Sequence, residues 1–213
     1  MRLIVPFLML AAVYGQDPLR TLPKNYQPAF ENDVVRVIRV HYGAHEKLLV
    51  HDHPKTPTIY VYLSDGGPVR FKHAEADPFV LERRAVKKGG VRLSAGRLEK
   101  HEVESISDTP NDFLRVELKA VPLGASGLSG RFAPPKDYAQ SITKVEFENA
   151  NVKIVRFVCA PQADCEISSP SSPALEVLFS GPETGEVRWV PEGSQAKSEK
   201  PMHLLRIEFK KRT

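Results

Sequence analysis

The feature of this 213-residue sequence that most constrains its fold is an internal repeat. Three blocks return in the same order: residues 30–39 as 147–156, residues 91–93 as 187–189, and residues 114–119 as 205–210. The offset between the copies falls from 117 to 96 and then to 91, so the second copy has lost residues from its loops. Ordered self-similarity of this kind predicts two related units in tandem, of about 95 and about 75 residues.

The periodicity within the repeated blocks is that of β-strands. Residues 113–118 (FLRVEL) and 205–209 (LRIEF) alternate apolar and charged side chains, which is typical of strands with one buried face. Residues 58–63 are β-branched and aromatic, and they end at a Ser-Asp-Gly-Gly turn. Six further segments have strand character: residues 34–40, 69–72, 91–93, 152–158, 176–179 and 187–190. Because no long stretch has helical periodicity, we expect an all-β sandwich or barrel.

The first fifteen residues differ in composition from the rest. A lone arginine, an apolar run from residue 3 to residue 13 and small residues before Gln16 are typical of a secretory signal peptide. A membrane anchor is the alternative, but the run is well short of the roughly 20 residues that a span needs. We therefore expect cleavage near Gly15, a secreted or periplasmic protein and no stable membrane anchor.

Residues 121–135 are rich in Gly, Pro, Ser and Ala, which is typical of a linker or of an extended excursion over a surface. This change of composition lies between the two copies of the repeat. The predicted organisation is a signal peptide (1–15), a first unit (16–120), a linker (121–140) and a second unit (141–213).

Composition and charge exclude several classes of protein. With 41% hydrophobic and 26% charged residues the chain is neither disordered nor fibrous, and a net charge of +4 requires no nucleic-acid partner, so none is expected. The basic pairs at residues 83–84 and 87–88 are interpreted as solvated faces. Export permits a disulfide between Cys159 and Cys165, the two cysteines of the chain. Two separate buried thiols are an equally good interpretation.

The histidines supply the candidate chemistry, because six of the seven lie in the first half. In a strand, His51 and His53 point to the same face, and His101 from a distant strand is the candidate third ligand. Three imidazoles form a facial set for one divalent ion such as Zn, Mn, Fe, Ni or Cu. Such a site loses affinity when its imidazoles protonate, below about pH 6.5. A solvated loop at residues 51–53 is the alternative.

The residues around these histidines resemble the two motifs of the cupin family. Gly43, the His51-Asp52-His53 triplet and a strand ending at Gly66 are similar to the first motif, and Gly96 with His101 and the strand at 113–118 to the second. The resemblance covers roughly residues 30–119, with an echo at 142–210. It implies two tandem double-stranded β-helix (jelly-roll) barrels, a bicupin with a degenerate C-terminal barrel.

Two departures from the cupin pattern affect the site. The glutamate that usually follows the second histidine is replaced by Pro57 or Thr58, and seven residues rather than five separate Gly43 from His51. In the second copy, the positions of the three histidines hold Ser168, Pro170 and Lys197. The C-terminal unit therefore cannot bind a metal by the same residues, and we expect it to serve structure, dimerisation or ligand enclosure.

Other side chains near the motifs have two interpretations each. Tyr60 and Tyr62 either point inward beside the site or pack in the core. His41 and His45 are outer candidates or surface residues. Three acidic residues flank His101 and are either further metal ligands or solvated charges: Glu99, Glu102 and Glu104.

The leading hypothesis is an exported bicupin that binds one divalent metal through three histidines and binds or acts on a small polar molecule. If it is an enzyme, the family implies a metal-dependent cupin of the dioxygenase or isomerase type. The alternative is a non-catalytic structural or ligand-binding cupin with vestigial histidines. The sequence leaves the substrate, the metal and a homodimeric assembly open.

Overall fold

The computed structural model describes residues 17–123, 127–161, 166–180, 184–194 and 202–210. One short helix, α1 (Pro18–Thr21), precedes the strands. The strands of the first half are β1 (Tyr26–Glu31), β2 (Val35–Tyr42), β3 (Lys47–His53), β4 (Thr58–Tyr62), β5 (Val69–His73), β6 (Phe79–Arg83), β7 (Val91–Ser94), β8 (Glu99–Ser105), β9 (Asn111–Leu118) and β10 (Gly130–Phe132). Those of the second half are β11 (Ile142–Glu148), β12 (Val152–Cys159), β13 (Ala174–Leu178), β14 (Val187–Val190) and β15 (Met202–Phe209). The predicted all-β class is confirmed.

The described strands form three antiparallel sheets. In the first half, a six-stranded sheet has the order β1-β2-β9-β4-β7-β10 and a four-stranded sheet the order β3-β8-β5-β6. In the second half, a five-stranded sheet has the order β11-β12-β15-β13-β14. β10 lies within the predicted linker, where residues 130–132 add an edge strand to the six-stranded sheet by pairing with β7.

The repeat seen in the sequence is also a repeat of strand register. The pairing of β1 with β2 shifts between Pro28 and Phe30, and that of β11 with β12 shifts between Val145 and Phe147, 117 residues later. At both strand connections an asparagine, Asn32 or Asn149, accepts hydrogen bonds from the backbone N–H groups two and three residues further on. The five-stranded sheet is therefore a second copy of the first five strands of the six-stranded sheet.

The six-stranded sheet lies in the middle and buries both of its faces. On β9, Leu114, Val116 and Leu118 point toward the five-stranded sheet, where they join an apolar cluster with residues of the second half such as Ile207. We call this cluster the module interface. Neighbouring side chains of the same strand, including Phe113, point toward the four-stranded sheet. The space between the six-stranded and four-stranded sheets is the barrel interior.

The two halves differ in how much of a barrel each contains. The first half has both walls, the six-stranded and the four-stranded sheet. Of the second half, the described residues contain the five-stranded sheet alone. The far face of that sheet buries side chains of its own, among them Val155, Phe157 and Leu204.

Two predictions fall wholly or partly outside the described residues. The predicted signal peptide lies outside them, and no helix within them is long and apolar enough to cross a membrane. Cys159 is buried and disulfide-bonded. Since Cys165 lies outside the described residues, the pairing of Cys159 with Cys165 stays a prediction.

Gly96 joins the two cupin-like motifs by close backbone packing. It has φ +87°, and a Cβ there would lie 2.6 Å from the carbonyl carbon of Thr56 and 2.7 Å from the nitrogen of Pro57. Gly193 has a similar φ of +73°, but a Cβ there would have no neighbour within 4 Å. Substituting each glycine by alanine therefore separates the cost of a positive φ, which both share, from the cost of steric overlap, which only Gly96 has.

We expect Gly193→Ala to lower the free energy of unfolding by about 1–2 kcal/mol, the cost of a left-handed conformation. Gly96→Ala should cost roughly 1–3 kcal/mol more, because the methyl group meets backbone that cannot rotate away. Urea denaturation of both variants measures the difference. Equal losses would show that the Thr56–Pro57 backbone yields freely.

Candidate functional site

The three predicted histidines meet in the barrel interior. Strand alternation in β3 turns His51 and His53 to the same face, with 0% and 4% of each residue exposed, and His101 of β8 is 3% exposed. His51 is the direct cross-strand neighbour of His101. One nitrogen from each ring lies within 4.8 Å of the other two. The strand interpretation of residues 51–53 is thus confirmed, and the solvated-loop alternative is wrong.

The hydrogen bonds of His51 define its tautomer. Its Nδ1 lies 2.8 Å from the carbonyl oxygen of Leu49, which can only accept, so Nδ1 carries the proton. Nε2 then has the lone pair, and the Tyr26 hydroxyl, 2.9 Å away, donates to it. Tyr42, whose hydroxyl is 2.9 Å from that of Tyr26, must in turn donate to Tyr26. A hydrogen-bonded chain of two phenols therefore ends on the nitrogen that a metal would use.

The other two histidines have nitrogens without partners. Nδ1 of His53 and both ring nitrogens of His101 are buried, and none has a hydrogen-bond partner among the residues that the structure describes. A buried polar group left unpaired costs about 1–3 kcal/mol. Imidazole nitrogens within 4.8 Å of one another, with unpartnered nitrogens on His53 and His101, suit a divalent cation, because each imidazole can give it a lone pair. The residues present therefore fit a metal ion.

The electrostatic environment keeps all three imidazoles neutral. Burial lowers the pKa of His51, lowers that of His53 well below its usual value, and lowers that of His101 to about 2. The cationic guanidinium of Arg115 acts in the same direction on each of these pKa values. Neutral imidazole is the form that binds metals.

Glu99 is the carboxylate nearest in sequence that shares the inward face of His101, and it is 5% exposed. Its oxygens lie 3.5 Å from Arg97 and 3.5 Å from Arg115. Burial opposes its ionisation, but Arg115 and other arginines prevail and lower the pKa of Glu99 below its usual value. Glu99 is therefore an ionised partner of arginines, and it is not part of the three-histidine group.

Pro57 and Thr58, which stand where the cupin pattern has a glutamate, are not metal ligands. Thr58 is buried, and its hydroxyl donates to the Thr56 carbonyl at 2.8 Å. The carbonyl of Pro57 accepts a hydrogen bond from the backbone of β9. Both residues thus fix the connection between β3 and β4.

The outer candidates are surface or packing residues. His41 and His45 are largely exposed and pair with Asp112 at 2.7 Å and with Asp108 at 2.8 Å. Glu102 and Glu104 point away from the interior and form ion pairs with lysine and arginine. Of the two tyrosines, Tyr60 is buried in the barrel interior and Tyr62 packs at its margin.

Sequence analysis missed His73, at the end of β5. It is the cross-strand neighbour of His101, with ring centroids 5.3 Å apart. Glu75 and Arg97 bind its ring nitrogens at 3.1 Å each. The predicted strand ended one residue early, at residue 72; extending its alternation by one position would have placed His73 on the inward face.

The interpretation of residues 83–84 as a solvated face is wrong for Arg83. Arg84 is exposed, but Arg83 is half-buried at the wall of a cavity of about 50 Å³ in the barrel interior. His53 and His101 line the same cavity. A run of two basic residues at the end of an edge strand carries no signal for which one points inward unless the register of β6 is known.

The second half has no equivalent histidine group in its described part. Ser168 is exposed and Pro170 is buried, and Lys197 lies outside the described residues. His203 is buried at the module interface, where Arg156 donates to its Nε2 at 2.7 Å and Phe179 stacks on its ring. Burial, followed by the charge of Arg156, lowers the pKa of His203 to about 3.

Comparison with known proteins gives a fold. No protein-family model and no curated protein matches this sequence. Among solved structures, YhaK from Escherichia coli matches with a TM-score of 0.56 and 14% identity, over 87% of this chain and 91% of its own. AerE from Microcystis aeruginosa has a TM-score of 0.55 and 12% identity, over 88% of this chain and 98% of its own. Oxalate decarboxylase from Bacillus subtilis has a TM-score of 0.50 and 12% identity, over 89% of this chain and 71% of its own.

The chain has the cupin fold. At these identities the likeness concerns the fold alone. Within this cupin fold, β3 and β4 carry the first cupin-like motif, and β8 and β9 carry the second. The two motifs meet at the histidine group because β3 and β8 are paired neighbours.

Replacement of Tyr26 tests whether its hydroxyl competes with a metal for the lone pair of His51. We expect Tyr26→Phe to bind Zn²⁺ about 2- to 10-fold more tightly, since one hydrogen bond is worth about 0.5–1.5 kcal/mol net. Tyr42→Phe, which leaves the bond from Tyr26 to His51 in place, is the matched control. Competition titration with a chelating dye measures both. Weaker binding by Tyr26→Phe would instead make the phenol oxygen a ligand.

The depressed histidine pKa values predict an acid-labile fold. Below about pH 6.5 the histidines bind protons in the unfolded chain but not in the folded chain. The free energy of unfolding therefore falls by up to about 1.4 kcal/mol per pH unit for each such histidine. His51, His53, His101 and His203 all contribute in this direction. Urea denaturation of metal-free protein from about pH 7.5 to about pH 5.5 should show this slope. A flat profile would contradict burial of neutral imidazoles.

The same pKa values revise the expected pH dependence of metal binding. Because burial lowers the pKa of each of the three histidines, metal affinity in the folded protein should be lost at a lower pH than the value of about 6.5 for free histidine.

Proposed function

We propose that this chain is an exported, two-unit cupin that holds one divalent metal ion through His51, His53 and His101. In this proposal the metal site binds or acts on a small polar molecule in the barrel interior. The observation that carries the proposal is the group of three buried imidazoles with nitrogens within 4.8 Å of one another. Unpartnered nitrogens on His53 and His101 support it, since a structural role would leave them unsatisfied.

Imidazole ligands suit Zn, Mn, Fe, Ni and Cu, and three of them leave coordination positions open for a small molecule. A bound ion would supply Lewis acidity or, for a redox metal, oxidation chemistry. The chain's own residues supply the surroundings. Arg115 is 4% exposed and fixed by Glu117 at 2.9 Å and by the Tyr60 hydroxyl at 2.8 Å. It gives the site a rigid positive charge beside the histidines.

The two-unit organisation rests on the repeat. The matched register shifts of β1–β2 and β11–β12 support descent of both halves from one cupin unit. The second unit would then stabilise the first through the module interface, and a homodimer is compatible with this arrangement. Export rests on residues 1–15 of the sequence.

A non-catalytic cupin with vestigial histidines is the second candidate. The bond from Tyr26 to His51 favours it, because this bond occupies the His51 lone pair without a metal. The absence of a carboxylate among the three-histidine group also favours it. The two candidates differ in metal stoichiometry, which one experiment measures.

We expect protein loaded with Zn²⁺ or Mn²⁺ and then desalted to retain about one equivalent per chain, and His51→Ala, His53→Ala and His101→Ala each to lose it. Removal of one of three ligands takes away a large share of the binding energy. His45→Ala, an exposed histidine of the same half, is the matched control and should keep the metal. Elemental analysis gives the stoichiometry. Wild-type protein without metal, or retention by His101→Ala, would contradict the three-histidine site and favour the vestigial candidate.

A further inference from the structure

The charges of the barrel interior do not balance. Glu99 and Glu117 are the buried carboxylates beside the site, and both already have arginine partners. Glu117 binds Arg36 at 2.7 Å and Arg115 at 2.9 Å, while Glu99 lies 3.5 Å from Arg97 and Arg115. The charges of Arg83 and Arg92 also lower the pKa of Glu99, so the two carboxylates are shared among more arginines than they can neutralise.

Arg84 lines the cavity but is exposed, whereas Arg83 and Arg92 are half-buried. Neither Arg83 nor Arg92 has an ion pair within the part of the chain that the structure describes. The guanidinium carbon of Arg92 lies 3.6 Å from the centre of the Tyr60 ring, and that of Arg83 lies 4.7 Å from the centre of the Phe71 ring. Stacking on an aromatic face uses the face of the guanidinium and leaves its in-plane N–H donors free.

These free donors are buried. Nε of Arg83, and Nε and Nη2 of Arg92, have no hydrogen-bond partner among the described residues. Burial, and then the like charge of Arg92, lower the pKa of Arg83 below its usual value. Two desolvated guanidinium groups that repel each other and lack acceptors are costly unless an anion binds between or beside them.

The position of this pair relates it to the histidines. Arg83 lines the same cavity as His53 and His101, and Tyr60, on which Arg92 stacks, is also in its wall. The cavity of about 50 Å³ holds roughly three or four water-sized groups. An occupant must therefore be small, with only a few non-hydrogen atoms.

We propose that Arg83 and Arg92 form an oxyanion-binding subsite, so that the molecule taken by this cavity is a small carboxylate or phosphate. Planar guanidinium groups recognise both classes through pairs of N–H donors. The subsite deepens the proposed function by naming the substrate class, and it rests on that function only for the neighbouring metal. Arginine donors bind the anion whether or not the histidines hold an ion.

The test is calorimetric titration of metal-free protein with three probes: acetate, inorganic phosphate and the uncharged acetamide. We expect acetate or phosphate to bind and acetamide not to bind. Whichever anion binds identifies the class. Arg83→Met should weaken binding about 10- to 100-fold, as expected for loss of charge-assisted hydrogen bonds. Arg83→Lys, which keeps the charge but loses the planar donors, should fall between wild type and Arg83→Met.

Lys100→Met is the matched control, because Lys100 is an exposed cation beside His101 on the outer face of β8. The Kd of this variant for the anion should lie within about twofold of the wild-type Kd, as expected for loss of an exposed charge. Because the titrations use metal-free protein, anion binding there is measured independently of the metal site. Thermal unfolding gives an independent readout: at the same concentration the anion should raise the Tm of wild type by more than that of Arg83→Met.

The proposal is overturned if neither anion binds wild-type protein, if Arg83→Met binds it as tightly as wild type, or if acetamide binds equally well. Failure of the metal experiment with success of this one would leave an anion-binding cupin without a metal. Success of the metal experiment with failure of this one would support the metal site and contradict the assignment of small oxyanions as its substrate class.

Discussion

The six-stranded sheet must be covered on both faces, and the rest of the structure depends on this constraint. β9 shows it most directly, because Leu114, Val116 and Leu118 on one face are as completely buried as the residues between them. A sheet with a single apolar face could stand at the surface, but this one requires a layer on each side. The four-stranded sheet supplies one layer and the five-stranded sheet of the second half supplies the other.

The two faces of the sheet have different chemistry because different layers cover them. The module interface is dominated by aliphatic and aromatic side chains, with the Arg156–His203 pair at one end. The barrel interior mixes aromatic rings with histidines and arginines, so its burial is expensive unless ligands complete it. The second half covers the first by the apolar face of its sheet, and its described part holds no histidine group of this kind.

The sequence predicts the architecture better than the site. Alternation in residues 113–118 and the offsets of the repeat predict the strands and the relation of the two halves, because both depend on local pattern. His51 and His53 are predictable as a same-face pair for the same reason. The neighbours of the site depend on register between distant strands: His73 and Arg83 enter the interior through β5 and β6, and Tyr26 through β1. No local pattern encodes those contacts, and the burial that neutralises the histidines is equally invisible in sequence.

We propose that three neutral, buried imidazoles form one metal site without a carboxylate ligand. X-ray absorption at the metal edge of Zn²⁺-loaded protein tests it most directly, because it reports the ligands around the ion. We predict three imidazole nitrogens at about 2.0–2.1 Å, with any remaining position filled by water or by the added anion. A spectrum with one imidazole or none, or with protein carboxylate oxygens in place of imidazole, would contradict the site described above.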